Sequence, residues 1–192
     1  GSILEEAEAH PAIVAGHFLR AGNFPKAWRW ANRAGDAAHA AGAFNESADA
    51  YSMAIEASAE ADVDLDLIAR TAERWGDSAR MAARYEEASR AYKQAEVGAA
   101  TGAHPRLLTK RAWVEGDQGH YAHAIRLTNQ AIAAADSLPR KTRDRVQAAA
   151  LVRRAGIRIR QGKFADAERA IRDALHHTSK KGDEWSEIGR AS

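Results

Sequence analysis

The chain has 192 residues, no cysteine and a formal charge of +2, which excludes a disulfide framework, a thiolate metal site and a cysteine nucleophile. Hydrophobic residues make up 45% of it and charged residues 28%, enough apolar surface for one or two domains with a buried core. No apolar run reaches the ~20 residues of a membrane span and no signal peptide is visible, so a reducing cytoplasm is the expected compartment.

The first helix is expected over Ile3 to Arg20, with Pro11 in its first turn or at a break, and Gly22 ends it. Asn23 is an N-cap and Pro25 sits in the first turn of a second helix, which carries Trp28 and Trp30 and ends at Gly42. A third helix runs from Phe44 to Ser58. The acidic stretch Asp62, Asp64, Asp66 leads into a helix from Leu65 to Ala82, with carboxylates at the positive end of its dipole. Its partner covers Tyr85 to Ala99. After the break at Ala100–Pro105, Pro105 opens the helix that bears Trp113, and Gly119 turns into Tyr121–Ala135. Ser137 and Pro139 offer an N-cap and an early proline to a long basic helix ending near Gln161. Phe164 to His177 is its partner, and Gly182 starts a capping fragment with Trp185 and Ile188.

One phrase recurs along these elements: a turn residue, an aromatic two positions later, then alanine or serine three and ten positions after that. The copies are Gly22/Phe24/Ala27/Ala34, Gly42/Phe44/Ser47/Ala54, Ala83/Tyr85/Ala88/Ala95, Gly119/Tyr121/Ala124/Ala131 and Gly162/Phe164/Ala167/Ala174. Aromatics are only 7% of the chain, so their recurrence at one register is not a product of composition. The glycine fits a left-handed residue after a helix end. The small residues fall on one face of the next helix and let a neighbour approach closely. The aromatics Phe24, Phe44, Tyr85, Tyr121 and Phe164 are expected between the helices.

These residues resemble the tetratricopeptide family, over roughly Ala9 to Leu175, with Gly76, Ala112 and Ala155 where that family packs its first helix. The resemblance implies an all-α, irregular TPR-like α-solenoid of antiparallel helix pairs, about nine or ten helices in all. The family's terminal proline is missing after most copies. The turn residues at 22 and 42 are too close for a helix pair between them, so the helix from Phe24 must serve two pairs. The expected organisation is a three-helix bundle over 3–60 and further pairs with a cap over 61–192, in one continuous array. Gly1-Ser2 reads as a cloning scar on a piece of a larger protein.

Catalytic and metal signatures are missing. There is no phosphate loop, zinc-protease helix or nucleophile elbow, and no calcium loop, since Asp62, Asp64 and Asp66 lack the glycine and distal glutamate. His176 and His177 are adjacent, which suits solvated residues at a helix C-terminus. His10 with His17, and His120 with His123, suit packing or capping better than metal. Trp28 and Trp30 cannot face the same way on one helix, which leaves one of them to be exposed or to lie in a groove. No catalytic residue, metal or cofactor is expected.

Two binding surfaces remain. By family register, a concave groove for a protein or peptide would be lined by Arg29, Asn32, Asp36 and His39, then Arg70, Glu73, Asp77 and Arg80, then Arg106, Trp113, Asp117 and Arg160. This mixture does not match the lysine/asparagine clamp for a C-terminal carboxylate. The other surface is a basic patch, Arg143, Arg145, Arg153, Arg154 and Arg158, which suits nucleic acid or an acidic protein surface. Leu151, Ala155 and Ile159 are the expected buried stripe of that helix, and a solvated outer face is favoured. Charge is unevenly placed: residues 1–100 hold 10 Lys/Arg against 16 Asp/Glu, and residues 101–192 hold 18 against 10. That pattern suits an acidic partner, contact between the two ends, or a head-to-tail homodimer.

The run from His10 through Leu19-Arg-Ala-Gly, Lys26-Ala and Arg33-Ala-Gly-Asp-Ala-Ala38 is similar to the helical region after the ATPase module of actinobacterial adenylate/guanylate cyclases and related STAND-type regulators. It covers about the first 60 residues. The resemblance implies a sensing or scaffolding role toward catalytic domains of the parent chain, with none of their catalytic residues present here.

Overall fold

The computed structural model describes residues 10–188, apart from the side chains of Thr101 and 179–188. Within them the helices are α1 (Pro11–Arg20), α2 (Phe24–Ala40), α3 (Phe44–Ser58), α4 (Leu65–Met81), α5 (Tyr85–Gly98), a short 3-10 turn (Thr101–Ala103), α6 (His104–Asp117), α7 (Tyr121–Ala135), α8 (Arg140–Arg160) and α9 (Phe164–Ile188). No strand occurs among the described residues. This is the all-α, TPR-like class of antiparallel helix pairs. The chain divides into two compact units, one ending at Ala100 and one beginning at Thr101, and this is where the acidic half of the sequence gives way to the basic half.

The five turns are built alike. Gly22, Gly42, Ala83, Gly119 and Gly162 all have positive φ, between 59° and 84°. In each, the following residue's N–H reaches back five residues to a helix carbonyl, as from Asn23 to Phe18 and Arg84 to Ala79. The turn residue's own N–H reaches back three, as from Gly22 to Leu19 and Ala83 to Arg80. This paired closure satisfies two orphan carbonyls and reverses the chain within three residues. The same following residue is the N-cap of the next helix. At Asn23 the side chain also accepts from Lys26 N–H at 3.3 Å. At Ala43, Arg84 and His120 the N-cap position makes no side-chain cap hydrogen bond.

In the first unit, α2 packs on both α1 and α3, and α3 packs on α4. Ala15, Ala31 and Ala54 form one cluster, with Trp28, Trp30 and Met53 partly buried against it. Both tryptophans are half-buried, so of the two expected outcomes for one of them, exposure or a groove, full exposure does not occur. In the second unit α7 packs on α6 and α8, α8 packs on α9, and α6 also meets α8. The cluster there is Leu108, Ala112, Leu127, Ala131 and Ala150.

The phrase alanines Ala27, Ala88, Ala124 and Ala167 are all buried. The phrase aromatics are not core. Phe24, Phe44, Tyr85 and Tyr121 are half-buried, and Phe164 is 68% exposed. They stand in the first turn of the second helix, at the end of each pair, where a side chain meets only what lies beside the turn. His39, for example, places its ring edge-on to Phe44 at 5.4 Å. The buried aromatics lie two helical turns further on. Tyr51 and Tyr92 are 2% and 0% exposed. Each ring lies on a glycine of the preceding helix: a Cβ on Gly35 would come 2.6 Å from Tyr51, and one on Gly76 would come 2.5 Å from Tyr92. Each hydroxyl donates to the neighbouring aspartate, Asp36 at 2.6 Å and Asp77 at 2.8 Å. Burial first, with the nearby aspartate second, pushes both phenols well above their ordinary range.

Other local expectations are corrected. Ser137 bonds back to the Ala134 carbonyl, and Pro139 holds the N-cap position of α8. The helix begins there because proline needs no N–H partner in a first turn. In α8, Leu151 and Ala155 are buried but Ile159 is 49% exposed, and Ile157 is buried in its place. Helix α9 continues through Gly182, so His176 and His177 lie mid-helix and not at its end. The side chains of Trp185 and Ile188, and the expected helix start at Ile3, lie outside the described residues.

These contacts predict three effects on stability. The left-handed alanine at position 83 carries the penalty of a Cβ that the four glycines avoid. Ala83→Gly should therefore raise unfolding free energy by about 1 kcal/mol, and Gly119→Ala should lower it by about the same, since a Cβ there meets nothing; both are read in denaturant titrations. Tyr92→Ala should cost about 3–5 kcal/mol, and Phe164→Ala less than about 1 kcal/mol, as expected for an exposed site. Because both buried phenols have raised pKa values, the unfolded chain ionises first. Stability should hold below pH 10.0 and fall as pH rises above it, with a shallower fall in Tyr92→Phe.

Candidate functional site

Helix α2 presents its polar edge to α4, and the residues meet in register. Thr71 donates to the Asn32 side-chain oxygen at 2.9 Å, Arg74 pairs with Asp36 at 2.9 Å, and His39 Nδ1 lies 3.0 Å from Ser78 Oγ. Beneath them Ser47 donates to the Gly35 carbonyl at 3.0 Å and lies 2.9 Å from Ser78 Oγ. A serine has one hydroxyl hydrogen, and Ser47 spends it on Gly35. Ser78 therefore donates to Ser47, and His39 Nδ1–H donates to Ser78. This is why serine replaces the phrase alanine at position 47: it joins three helices through a satisfied polar chain.

Three of the expected groove residues, Asn32, Asp36 and His39, thus hold helices together. Asp77 is also engaged, by Tyr92. Arg70 is exposed and pairs with Asp66 one turn earlier at 2.6 Å, a contact of small energy at such exposure. Arg29 is exposed, Glu73 is half-buried, and Arg80 donates to Met81 Sδ at 3.3 Å. Arg84, which the sequence reading passed over, bridges Asp49 at 2.7 Å and Glu87 at 2.6 Å. Desolvation works against its charge, but the two carboxylates outweigh that and hold its pKa above the ordinary value. Glu87 also receives the Trp75 indole N–H at 2.6 Å.

In the second unit the polar join is made by arginine. Arg153 on α8, 10% exposed at its side chain, donates to the Trp113 carbonyl at 2.7 Å and pairs with Asp117 at 3.1 Å. Its guanidinium also lies over the Trp113 ring at 5.3 Å. Arg160 reaches the Gly116 carbonyl at 2.9 Å and Asp117 at 3.2 Å. Trp113, on the exposed side of α6, is held by Arg153 with 38% of its surface open. Arg106 is exposed two helical turns earlier on the same helix.

The five expected basic-patch residues therefore separate. Arg153 is a structural residue of α6–α8 packing. Arg143 is 3.6 Å from Asp144, and Arg145 is exposed. Arg154 donates to the Asn129 side chain at 3.3 Å, and Arg158 donates to Gln161 at 3.0 Å and lies 3.7 Å from Asp166. Arg154 and Arg158 turn into a cleft of about 380 Å³ between α7, α8 and α9, lined also by Ile125, Asn129, Asp166, Arg169, Ala170 and Asp173. The hydrogen bond from Arg169 leads the causes that hold the Asp166 carboxyl below its ordinary range.

The histidines find partners near by. His120 and His123 both approach Glu115, at 3.0 and 3.2 Å, and His177 lies 3.7 Å from Asp144. His17 accepts from Arg20 at 3.3 Å. No group of three metal-ligating side chains occurs among the described residues, and no described helix is long and apolar enough to cross a membrane.

No protein-family model matches the chain, and no curated protein does. Solved structures do. The fold is similar to that of MamA, with a TM-score of 0.59 at 14% identity over 88% of this chain and 97% of that one. A second MamA structure gives 0.58 at 14% identity, over 90% and 92%. The likeness is to a TPR-type helical-repeat protein and lies in the fold alone.

The arrangement around Arg153 predicts a sharp contrast. Arg153→Ala leaves Asp117 without its most buried cation and should cost about 3 kcal/mol. Arg145→Ala, on the exposed side of the same helix, should change stability by less than about 0.5 kcal/mol in parallel chemical melts.

Proposed function

We propose that the chain is a non-catalytic protein-interaction module working in the cytoplasm. The observation that carries this reading is Trp113, a partly open aromatic on a first helix, fixed by Arg153 and flanked by Arg106. Tryptophan and arginine supply most of the energy at interface centres, and a side chain already held still loses little entropy on binding. The partner is a protein or peptide, or an upstream domain of the parent chain. Following the resemblance of the His10–Ala38 segment, the module regulates an attached signalling domain, a nucleotide cyclase with an ATPase module. On this reading the helix pairs act as one array, with 3–60 as its leading bundle.

Nucleic acid is the weaker alternative. Arg153 is committed to α6–α8 packing and Arg158 to Asp166, so the α8 arginines do not form a free cationic stripe. A head-to-tail homodimer is the other competitor.

The test is capture by this chain, with and without the parent's upstream domains, beside DNA and RNA shift assays at two salt concentrations. A protein should be recovered, and Trp113→Ala should weaken its binding by about thirtyfold. Tight nucleic-acid binding that falls steeply with salt, lost in Arg143→Glu plus Arg145→Glu, with no protein recovered, would overturn the reading. So would self-association alone in sedimentation.

A further inference from the structure

The cleft between α7, α8 and α9 contains charges of both signs that its own walls do not neutralise. Arg158 and Arg169 both serve Asp166. Arg154 does not share in this. Among the described residues its only bond is to the neutral amide of Asn129, at the long distance of 3.3 Å, and no carboxylate there pairs with it. Asp173, on the α9 wall, likewise has no cation paired with it among the described residues. A guanidinium carries five donors in a fixed fork, and Arg154 leaves most of them unused.

We propose that this cleft binds an acidic side chain of a partner protein, with Arg154 as the carboxylate-gripping residue. The proposal rests on the interaction-module reading and adds a surface to it distinct from the Trp113 face. Three arginines against two aspartates leave the cleft with a single surplus positive charge, which one carboxylate neutralises. A phosphate dianion would add repulsion from Asp166 and Asp173 to that balance, and a nucleic-acid backbone would add more. Ile125 and Ala170 give apolar wall for the methylenes of a glutamate, as clefts that hold amphipathic groups commonly do. Asp173 is placed to accept N–H groups of the same segment's backbone. No aromatic ring lines the cleft for a base to stack on. Arginine suits the task better than lysine, because its fork fits both carboxylate oxygens at once.

Chemical-shift titration of the full chain tests this, with a capped peptide of alternating glycine and glutamate as the probe. The same peptide with lysine in place of glutamate, and inorganic phosphate, are the other two arms. The glutamate peptide should move the Asn129 side-chain amide, the Arg154 Nε–H and the Ala170 amide in one saturable process. Arg154→Glu and Arg154→Gln should each weaken it by about tenfold or more, while Lys93→Glu, in the other unit, should leave it unchanged. Asp173→Asn should raise the phosphate response. The two Arg154 variants are on the cleft wall, and their amide spectra verify that they fold. Equal binding of the lysine peptide, wild-type titration by either Arg154 variant, or phosphate binding more tightly than the glutamate peptide would each overturn the proposal. If a partner is captured through Trp113 and the glutamate peptide does not bind, the cleft assignment fails and the module reading stands. If the peptide binds and no partner is captured, the reverse holds.

Discussion

The close approach of paired helices sets everything else in this protein. Gly35 under Tyr51 and Gly76 under Tyr92 leave no room for even a methyl group. The rest of the core follows the same rule, with Ala27, Ala31, Ala54, Ala88, Ala124 and Ala131 fully buried. Alanine brings little apolar area per residue, so each contact is individually weak. Backbones brought close together gain dispersion from many atoms, and interiors packed at this density tolerate neither gaps nor additions. The left-handed turns make the approach possible by reversing the chain without a loop.

A core of small residues has a consequence for the surface. With few large side chains to key one helix against the next, register is set by polar joins. Asn32 with Thr71, Asp36 with Arg74, and the His39–Ser78–Ser47 chain do this in the first unit. Arg153 and Arg160 on Asp117 do it in the second. Each donor finds one acceptor geometry, so a slip by one turn would leave buried polar groups unpaired at a cost of roughly 1–3 kcal/mol apiece. Many charged residues on first helices are therefore structural. On the proposed reading, recognition uses the open part of the Trp113 ring and the cleft around Arg154.

The sequence made the repeat and its turns legible because both have strict local causes. A glycine in a left-handed turn and a small residue on a packed helix face are steric requirements, and they show through any composition. Even Ala83, which breaks the glycine pattern, was placed correctly by its neighbours. The aromatics misled for a local reason as well. Phe164 and its equivalents recur because they sit beside the turn, and recurrence is not burial. The buried tyrosines carried a signal of their own, Gly-Asp at 35–36 and 76–77 with tyrosine fifteen residues after each aspartate. That spacing crosses a turn, and no single-helix periodicity reveals it.

What the sequence determined by itself, then, is the all-α class, the helix boundaries to within a residue or two over most of the chain, and the alanine face of each second helix. All of these follow from backbone sterics and the 3.6-residue period. The tertiary structure alone decided which charges are free. Arg153 and Arg154 are neighbours in one basic run and look equivalent there. A helix turns about 100° between them, so one guanidinium enters the α6–α8 contact and meets Asp117, while the other opens onto the cleft beside Asn129. The partners that separate them lie 36 and 25 residues away, and only the folded chain brings those residues within reach.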